Sequence, residues 1–109
     1  MGLGLWAVVE KSRRETVGFC GLSRFEDVGG QPETEIGYRL ARCAWGRGYA
    51  TEAAGAVRDY GFGTLCLSRL ISIIDPRNAA SIRVAEKTGL VYEKDVIFQG
   101  FAYRVYAIS

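Results

Sequence analysis

A turn with two glycines, followed at once by helix-forming residues, constrains the fold of this chain more than any other feature. The segment from Trp45 to Ala54 reads WGRGYATEAA, and Arg47 separates Gly46 from Gly48. Glycine lets the backbone come close to a ligand because it has no Cβ atom. The start of the following helix adds unpaired N–H groups and the positive end of the helix dipole. These features together predict a phosphate-binding turn, although two glycines alone fit a turn without a ligand equally well.

Three segments with β-strand character precede this turn. Leu3–Val9 and Thr16–Leu22 are apolar, and the charged residues between them predict a solvated hairpin loop rather than a nucleic-acid-binding patch. A turn cluster at Asp27–Pro32 leads into Glu33–Leu40, where apolar and polar residues alternate as they do in a half-buried strand. The chain before the glycine turn is therefore predicted to form three strands, the first two of them antiparallel.

A helix is predicted directly after the glycine turn. Its apolar residues recur at the spacing of a buried stripe, and they are Ala50, Ala53, Ala54 and Val57. Gly61 and Gly63 are predicted to end this helix. Ser68–Ile74 follows as a nearly continuous apolar run with β-branching, which predicts a strand that is buried on both faces.

The end of the chain predicts a second helix and a hairpin. Asn78 is a good N-cap for a helix over about residues 79–88, and Gly89 suits its C′ position. Val91–Phe98 and Phe101–Ile108 then form a hairpin around a two-residue turn. The predicted order is β-β-β-α-β-α-β-β, an α/β fold with a mixed sheet. Ligands of open α/β sheets bind at the carboxyl ends of the parallel strands, where the glycine turn lies.

The composition argues against several classes of function. The 109 residues carry 14 basic and 12 acidic side chains, and a net charge of +2 indicates neither a nucleic-acid nor a membrane partner. Histidine is absent, which argues against Ser–His–Asp hydrolases and most zinc enzymes. Cys20, Cys43 and Cys66 have unrelated spacings, which predicts reduced thiols in a cytoplasmic protein without a metal site. No apolar run has the ~20 residues of a membrane span, and the length predicts one domain.

Three stretches carry a resemblance to a known family. EIGYRL (Glu35–Leu40) is followed by WGRGYATEA (Trp45–Ala53), then by DPRNAASIRVAEKTGLVYE (Asp75–Glu93), and the chain ends in YRVYAIS. In this order and spacing they resemble the GNAT superfamily of N-acetyltransferases, most closely its RimJ/RimL-like branch. The resemblance extends from about Leu3 to the end. The family's loop pattern has Gln or Arg at its first position, and the aromatic Trp45 found there is common in that branch.

The resemblance implies that the chain binds acetyl-CoA as its acyl-donor substrate. Backbone groups of Ile36, Tyr38 and Leu40 would hold the pantetheine arm, and an N–H near Tyr38 would polarise the thioester carbonyl. The residues implied around the pyrophosphate are Gly46, Arg47, Gly48, Tyr49, Ala50 and Thr51. Asn78 is a helix cap, a partner of the pantetheine arm together with Ser81, or both. Lys87 either reaches the CoA 3′-phosphate or is an exposed helix lysine.

The resemblance also implies direct attack of an amine on the thioester, without a covalent enzyme intermediate. Glu35 is the candidate base, acting directly or through water, and its alternative interpretation is a surface strand glutamate. Many family members carry a tyrosine acid on the last helix, where this chain has Ala85. Ser81, one helical turn earlier, is the substitute candidate acid. Cys43 and Cys66 have no neighbouring base, so a catalytic thiol is not expected.

Family members begin with a strand and two helices that wall the acceptor site, whereas this sequence starts almost directly on the second strand. The resemblance therefore implies a shortened enzyme, a fragment, or a protein that completes its site through a partner. The uncovered edge at Leu3–Val9 favours a homo-oligomer. The predicted function is acetyl transfer from acetyl-CoA to a primary amine, either a protein N-terminus or a small amine. The alternative is a non-catalytic CoA-binding module.

Overall fold

The computed structural model describes residues 2–10, 15–40 and 48–109, with side chains for residues 18–38 and 48–109. Within these ranges the order β-β-β-α-β-α-β-β is confirmed. The elements are β1 (Gly2–Glu10), β2 (Glu15–Val28), β3 (Gln31–Leu40), α1 (Tyr49–Gly63), β4 (Leu70–Ile74), α2 (Ala79–Lys87), β5 (Val91–Phe98) and β6 (Phe101–Ile108).

The six strands form one mixed sheet in the order β1-β2-β3-β4-β6-β5. Its neighbouring strands are antiparallel except for β3 and β4, which α1 connects as a parallel pair with Glu35 opposite Ile71. The predicted βαβ unit is thus confirmed. The C-terminal hairpin inserts with β6 beside β4, so β5 becomes an edge strand of the sheet.

The two helices cover one face of the sheet, which we call the helix face. The buried residues there come from both helices and from the strands beneath them, and they include Leu22, Ile36, Ala54, Val57, Leu70, Ile74, Ala85 and Tyr106. The other face, which we call the opposite face, has a core built from strand residues, namely Val28, Ile71, Val96, Val105 and Ala107. Leu70 and Ile71 are both fully buried, on different faces, which confirms the prediction for β4.

The hairpin formed by β2 and β3 is longer than its composition predicts. β2 continues to Val28 and β3 begins at Gln31, so the turn shrinks from Asp27–Pro32 to two glycines with positive φ, Gly29 at 61° and Gly30 at 93°. The side chain of Asp27 accepts a hydrogen bond from the Gly30 N–H at 2.9 Å. Val28 is completely buried, and this burial outweighs the turn propensity of its neighbours.

Gly61 does not end α1, so that part of the helix prediction is wrong. The helix continues to Gly63, and Thr64 is its C-cap. Gly61 is buried, and a Cβ atom there would lie 3.3 Å from Cδ1 of Leu70. The glycine therefore allows the helix to approach the sheet closely. By contrast, Gly89 has the positive φ of 98° expected after α2.

Arg69, immediately before β4, joins two carboxylates at the amino ends of the parallel strands. Its guanidinium donates to Glu33 of β3 at 2.9 and 2.8 Å and to Glu93 of β5 at 2.8 and 2.6 Å. The Glu33 side chain is only 3% exposed. Burial acts to raise the pKa of Glu33, but hydrogen bonds from Arg69 and Gln31 outweigh it and lower the pKa. We call this arrangement the Arg69 clamp.

Candidate active site

A cavity of about 300 Å³ lies where the carboxyl ends of β3 and β4 separate, next to the start of α2. Its lining residues are Glu35, Ile36, Gly37, Tyr38, Ser72, Ile73, Ile74, Asp75, Asn78, Ser81 and Tyr103. The cavity brings together five of the residues that the sequence predicted as site residues, which are Glu35, Ile36, Tyr38, Asn78 and Ser81. It lies at the end of the parallel pair where α/β sheets bind their ligands.

Side chains replace backbone pairing at the point where the two strands separate. The backbone register of β3 and β4 contains the pair Glu35–Ile71. Beyond it, the Ser72 hydroxyl donates to the Ile36 carbonyl at 2.9 Å, and the Ile73 N–H donates to Oε2 of Glu35 at 2.9 Å. These two bonds satisfy backbone groups that a continued ladder would otherwise pair, because buried backbone groups must find partners.

Glu35 is half-buried rather than fully exposed, and its role as the base remains a prediction. Removal from water disfavours its charged form and raises its pKa from 4.5 to about 7, although the hydrogen bond from Ile73 opposes this effect. A carboxyl group that titrates near neutrality exchanges protons readily at that pH. The geometry and the pKa thus suit a general base.

Tyr38 ties β3 to the second helix. Its hydroxyl donates to the Ser81 carbonyl at 2.8 Å, and burial raises the pKa of Tyr38 to about 12. The Ser81 N–H in turn donates to Oδ1 of Asn78 at 3.1 Å, which confirms Asn78 as the N-cap of α2. The contact of Asn78 with a pantetheine arm remains a prediction.

Several predicted residues lie away from the cavity. Gly48 is the N-cap of α1 with a φ of 77°, and Tyr49, Ala50 and Thr51 form the first turn of that helix. A Cβ atom on Gly48 would meet nothing within 4 Å, so the described residues leave space beside this helix end. Lys87 is exposed in the last turn of α2, at the end remote from Asn78.

Other predictions fall on residues whose structure is not described. Gly46, Arg47 and Cys43 lie outside the described residues, and Leu40 is described only through the backbone of β3. Of the other two cysteines, Cys66 is exposed, whereas Cys20 is buried and burial raises its pKa to about 11. Cys20 is thus a poor nucleophile, because the thiolate is the reactive form.

The sequence reasoning missed Ser72, Asp75 and Tyr103. Ser72 is the single polar residue in the apolar strand Leu70–Ile74, a signal that could have identified it. Asp75 directly follows that strand, and hydrogen bonds from Arg77 lower its pKa to about 2. Tyr103 enters the cavity from β6, and only the order of the strands in the sheet brings it there. Among the described residues, no group of side chains has the arrangement of a metal site, and no helix is long and apolar enough to cross a membrane.

Comparisons with known proteins establish the family. Residues 1–91 match the sequence profile of the acetyltransferase (GNAT) domain. The chain is 45% identical over 95 residues to the uncharacterized protein YkkB of Bacillus subtilis (strain 168), which covers 87% of this chain and 55% of YkkB. It is 36% identical over 96 residues to the uncharacterized N-acetyltransferase p20 of Bacillus licheniformis, which covers 82% of this chain and 53% of p20. The chain belongs to the GNAT family of acetyltransferases.

The solved structures agree with the fold described above. The acetyltransferase from Agrobacterium tumefaciens str. C58 matches with a TM-score of 0.81 and 31% identity, over 97% of this chain and 60% of that protein. This similarity confirms the mixed α/β architecture. The chain spans about half the length of the curated relatives YkkB and p20.

Proposed function

We propose that this chain carries the donor site and the base of an acetyl-CoA-dependent N-acetyltransferase of the RimJ/RimL-like branch. The observation that carries the proposal is Glu35, a half-buried carboxyl group with a pKa of about 7 in the gap between two parallel strands. The acceptor is a primary amine, either a protein N-terminus or a small molecule. We further propose a single domain in a cytoplasmic protein, and homo-oligomerisation through its uncovered strands.

The donor would extend from the start of α1 to the cavity. The first turn of α1 offers N–H groups of Tyr49, Ala50 and Thr51 that have no partner within the helix, and such groups bind phosphate. The space beside Gly48 supports this fit, since a Cβ there would meet nothing within 4 Å. Gly46 and Arg47 are proposed to complete the loop. When bound, acetyl-CoA supplies the activated acetyl group.

Backbone and side chains of the separated strands are proposed to orient the reacting groups. Backbone groups from Ile36 to Leu40 would hold the pantetheine arm, and an N–H near Tyr38 would stabilise charge on the carbonyl oxygen. Asn78 would contribute its side-chain amide, since its Oδ1 is already occupied by the Ser81 N–H. Lys87 remains a proposed contact for the 3′-phosphate.

The proposed reaction forms one N–C bond and breaks one C–S bond. The amine nitrogen attacks the acyl carbon, and Glu35 accepts the proton that this nitrogen loses, directly or through water. The Ser81 hydroxyl donates a proton to the leaving thiolate and regains one from water. A base with a pKa near 7 is matched to this task at neutral pH.

Calorimetry with CoA and thiol release in the presence of amines test the proposal. We expect binding of CoA and of acetyl-CoA, with loss of binding in Gly48→Val, because valine would strain a left-handed residue and fill the phosphate position. Gly30→Val is the matched control, since Gly30 also has a positive φ and open space but lies in the turn between β2 and β3. The control should unfold more easily and still bind CoA.

The outcomes separate binding from catalysis. A folded chain that binds neither CoA nor acetyl-CoA would contradict the proposal. Equal loss of binding in Gly48→Val and Gly30→Val would assign the effect to backbone strain. Orientation of reactants contributes on the order of 7–11 kcal/mol to catalysis. The 109 residues span about half the length of YkkB and p20, so we propose that they orient the amine incompletely and expect slow turnover. A rate of about 1 per second or more would indicate a complete acceptor site.

A further inference from the structure

The second helix is held on the sheet by few buried residues. α2 has nine residues, of which Ala85 is buried, while Ile82 and Val84 are half-buried against the strands and α1. A helix this short is not stable alone, so its orientation depends on its neighbours. α1 is better anchored, because it has 15 residues and buries three of them against the sheet. A residue of α1 that binds α2 therefore acts from a fixed support.

Hydrogen bonds hold α2 at both of its ends. At the start, the Tyr38 hydroxyl of β3 donates to the Ser81 carbonyl at 2.8 Å. At the end, a terminal nitrogen of the Arg58 guanidinium donates to the carbonyl of Thr88, the C-cap of the helix, at 2.7 Å. The last carbonyls of a helix have no partner within it, and a cation there also interacts favourably with the helix dipole. Arg58 thus connects α1 to the far end of α2.

Both partners of the bond between Arg58 and Thr88 are themselves held in place. The Nε of Arg58 also donates to Oδ1 of Asp59 at 2.9 Å, and the Arg58 side chain is half-buried. Thr88 is buried, and its hydroxyl donates to the Val84 carbonyl at 2.7 Å, one turn earlier in the helix. Because the cap is joined to the last turn in this way, the bond from Arg58 holds the helix itself and not only the loop that follows.

We infer that Arg58 is a positioning residue of the donor site, because it fixes the tilt of α2 and thereby the place of the Asn78 amide. This inference rests on the proposed function, which assigns that amide to the pantetheine arm. Tyr38 holds Ser81, so the helix would pivot about this residue if its other end were released. Thr88 lies about 10 Å and Asn78 about 4.5 Å from Ser81 along the axis, at a rise of about 1.5 Å per residue. A displacement of the cap by about 2 Å would therefore move Asn78 by about 1 Å.

A shift of this size is sufficient to disturb donor binding. Oδ1 of Asn78 accepts from the Ser81 N–H, so the Asn78 side chain moves with the helix. A hydrogen bond spans roughly 2.7–3.2 Å, and a displacement of about 1 Å breaks it. Arg58 itself is remote from the donor, since it lies about 13 Å from Tyr49 along α1 and binds α2 about 15 Å from Asn78. Its effect on the donor is therefore transmitted through the helix.

Arg58→Met tests this role by calorimetry with CoA. Methionine keeps an unbranched, helix-forming side chain but removes the donor, so the Kd of CoA should rise about fivefold, as expected for the loss of one hydrogen bond. Arg58→Lys retains a charged donor and should raise the Kd less than twofold. Asp59→Ala is the matched control on the same helix, since it removes the other partner of the guanidinium and leaves the bond to Thr88. Its Kd should stay within twofold of the unaltered chain.

A double-mutant cycle with Asn78→Ser separates positioning from a general loss of structure. Serine keeps the helix cap and removes the amide. If Arg58 acts through this amide, adding Arg58→Met to Asn78→Ser should change the Kd of CoA by less than twofold, although the same substitution raises it about fivefold in the unaltered chain. Substitutions so far apart, with no shared partner, are otherwise additive. Urea unfolding checks that each variant is folded, and Arg58→Gln, whose amide is too short to reach the Thr88 carbonyl, replaces Arg58→Met if that variant does not fold.

Three results would overturn the inference while the proposed function stands. They are an unchanged Kd of CoA in Arg58→Met, an equal rise in Arg58→Met and Asp59→Ala, and the same fold-change of Arg58→Met with and without Asn78→Ser. Failure of the unaltered, folded chain to bind CoA would instead contradict the proposed function.

Discussion

Glu35 should make the stability of this protein fall as the pH rises through neutrality. Its pKa is about 7 in the folded chain and 4.5 ordinarily, so between these values the folded state holds more protons than the unfolded state. Each pH unit in this interval costs the folded chain about 1.4 kcal/mol, which amounts to at most roughly 3 kcal/mol above pH 7. Glu35→Gln stays neutral and keeps an oxygen that can accept the Ile73 N–H.

The prediction is measured by urea unfolding of both proteins at several pH values from about 3 to 8, a range that also covers the loss expected for the control below pH 4.5. The two unfolding free energies should be similar near pH 4, and the variant should become more stable by up to roughly 3 kcal/mol near pH 8. Glu33→Gln is the control with the opposite sign. The pKa of Glu33 is lowered, so its contribution is present above pH 4.5 and is lost at lower pH. A difference between wild type and Glu35→Gln that does not change with pH would refute the assignment of a raised pKa.

Two further substitutions test other parts of the site and the fold. Asn78→Ser keeps a helix cap but removes the amide, so unfolding free energy should change by less than about 1 kcal/mol, while the Kd of acetyl-CoA by calorimetry should rise several-fold. An unchanged Kd would leave Asn78 as a cap alone. Arg69→Met should cost roughly 3 kcal/mol in urea unfolding, since it leaves the buried and charged Glu33 without a cationic partner. A double variant with Glu33→Leu should recover part of this loss, and an unaltered stability of Arg69→Met would contradict the account of the clamp.

The sequence predicted those elements whose signals are local. Asn78 and Gly89 mark the ends of α2, and the two-residue turn before Phe101 has the positive φ values typical of a tight hairpin. These residues act through bonds or backbone conformations within a few positions of themselves. For the same reason, Asp27–Pro32 misled the prediction, because its turn propensity is local whereas the burial of Val28 comes from distant strands.

The features of the site that the sequence did not predict depend on contacts between distant segments. Burial raises the pKa of Glu35, while the hydrogen bond from the Ile73 N–H opposes this rise. That hydrogen bond depends on the register of a parallel pair. Tyr103 reaches the cavity because the C-terminal hairpin inserts with β6 on the inside. The alternation of a strand predicts the face on which a residue lies, but it does not predict which strand becomes its neighbour. The role of Gly61 likewise depends on a distant contact, because this glycine allows α1 to lie close to Leu70 of the sheet.

The Arg69 clamp holds β3 and β4 together at their amino ends, whereas the two strands separate at their carboxyl ends. Glu33 is fixed by charge-assisted hydrogen bonds, and two residues later Glu35 reaches across to β4 through its side chain. Further separation of the carboxyl ends would break the hydrogen bonds that the side chains of Glu35 and Ser72 make, while the backbone pairing between Glu35 and Ile71 stays intact. A ligand with its own hydrogen-bond donors and acceptors can replace those two bonds, so it can bind between the strands with no loss of secondary structure.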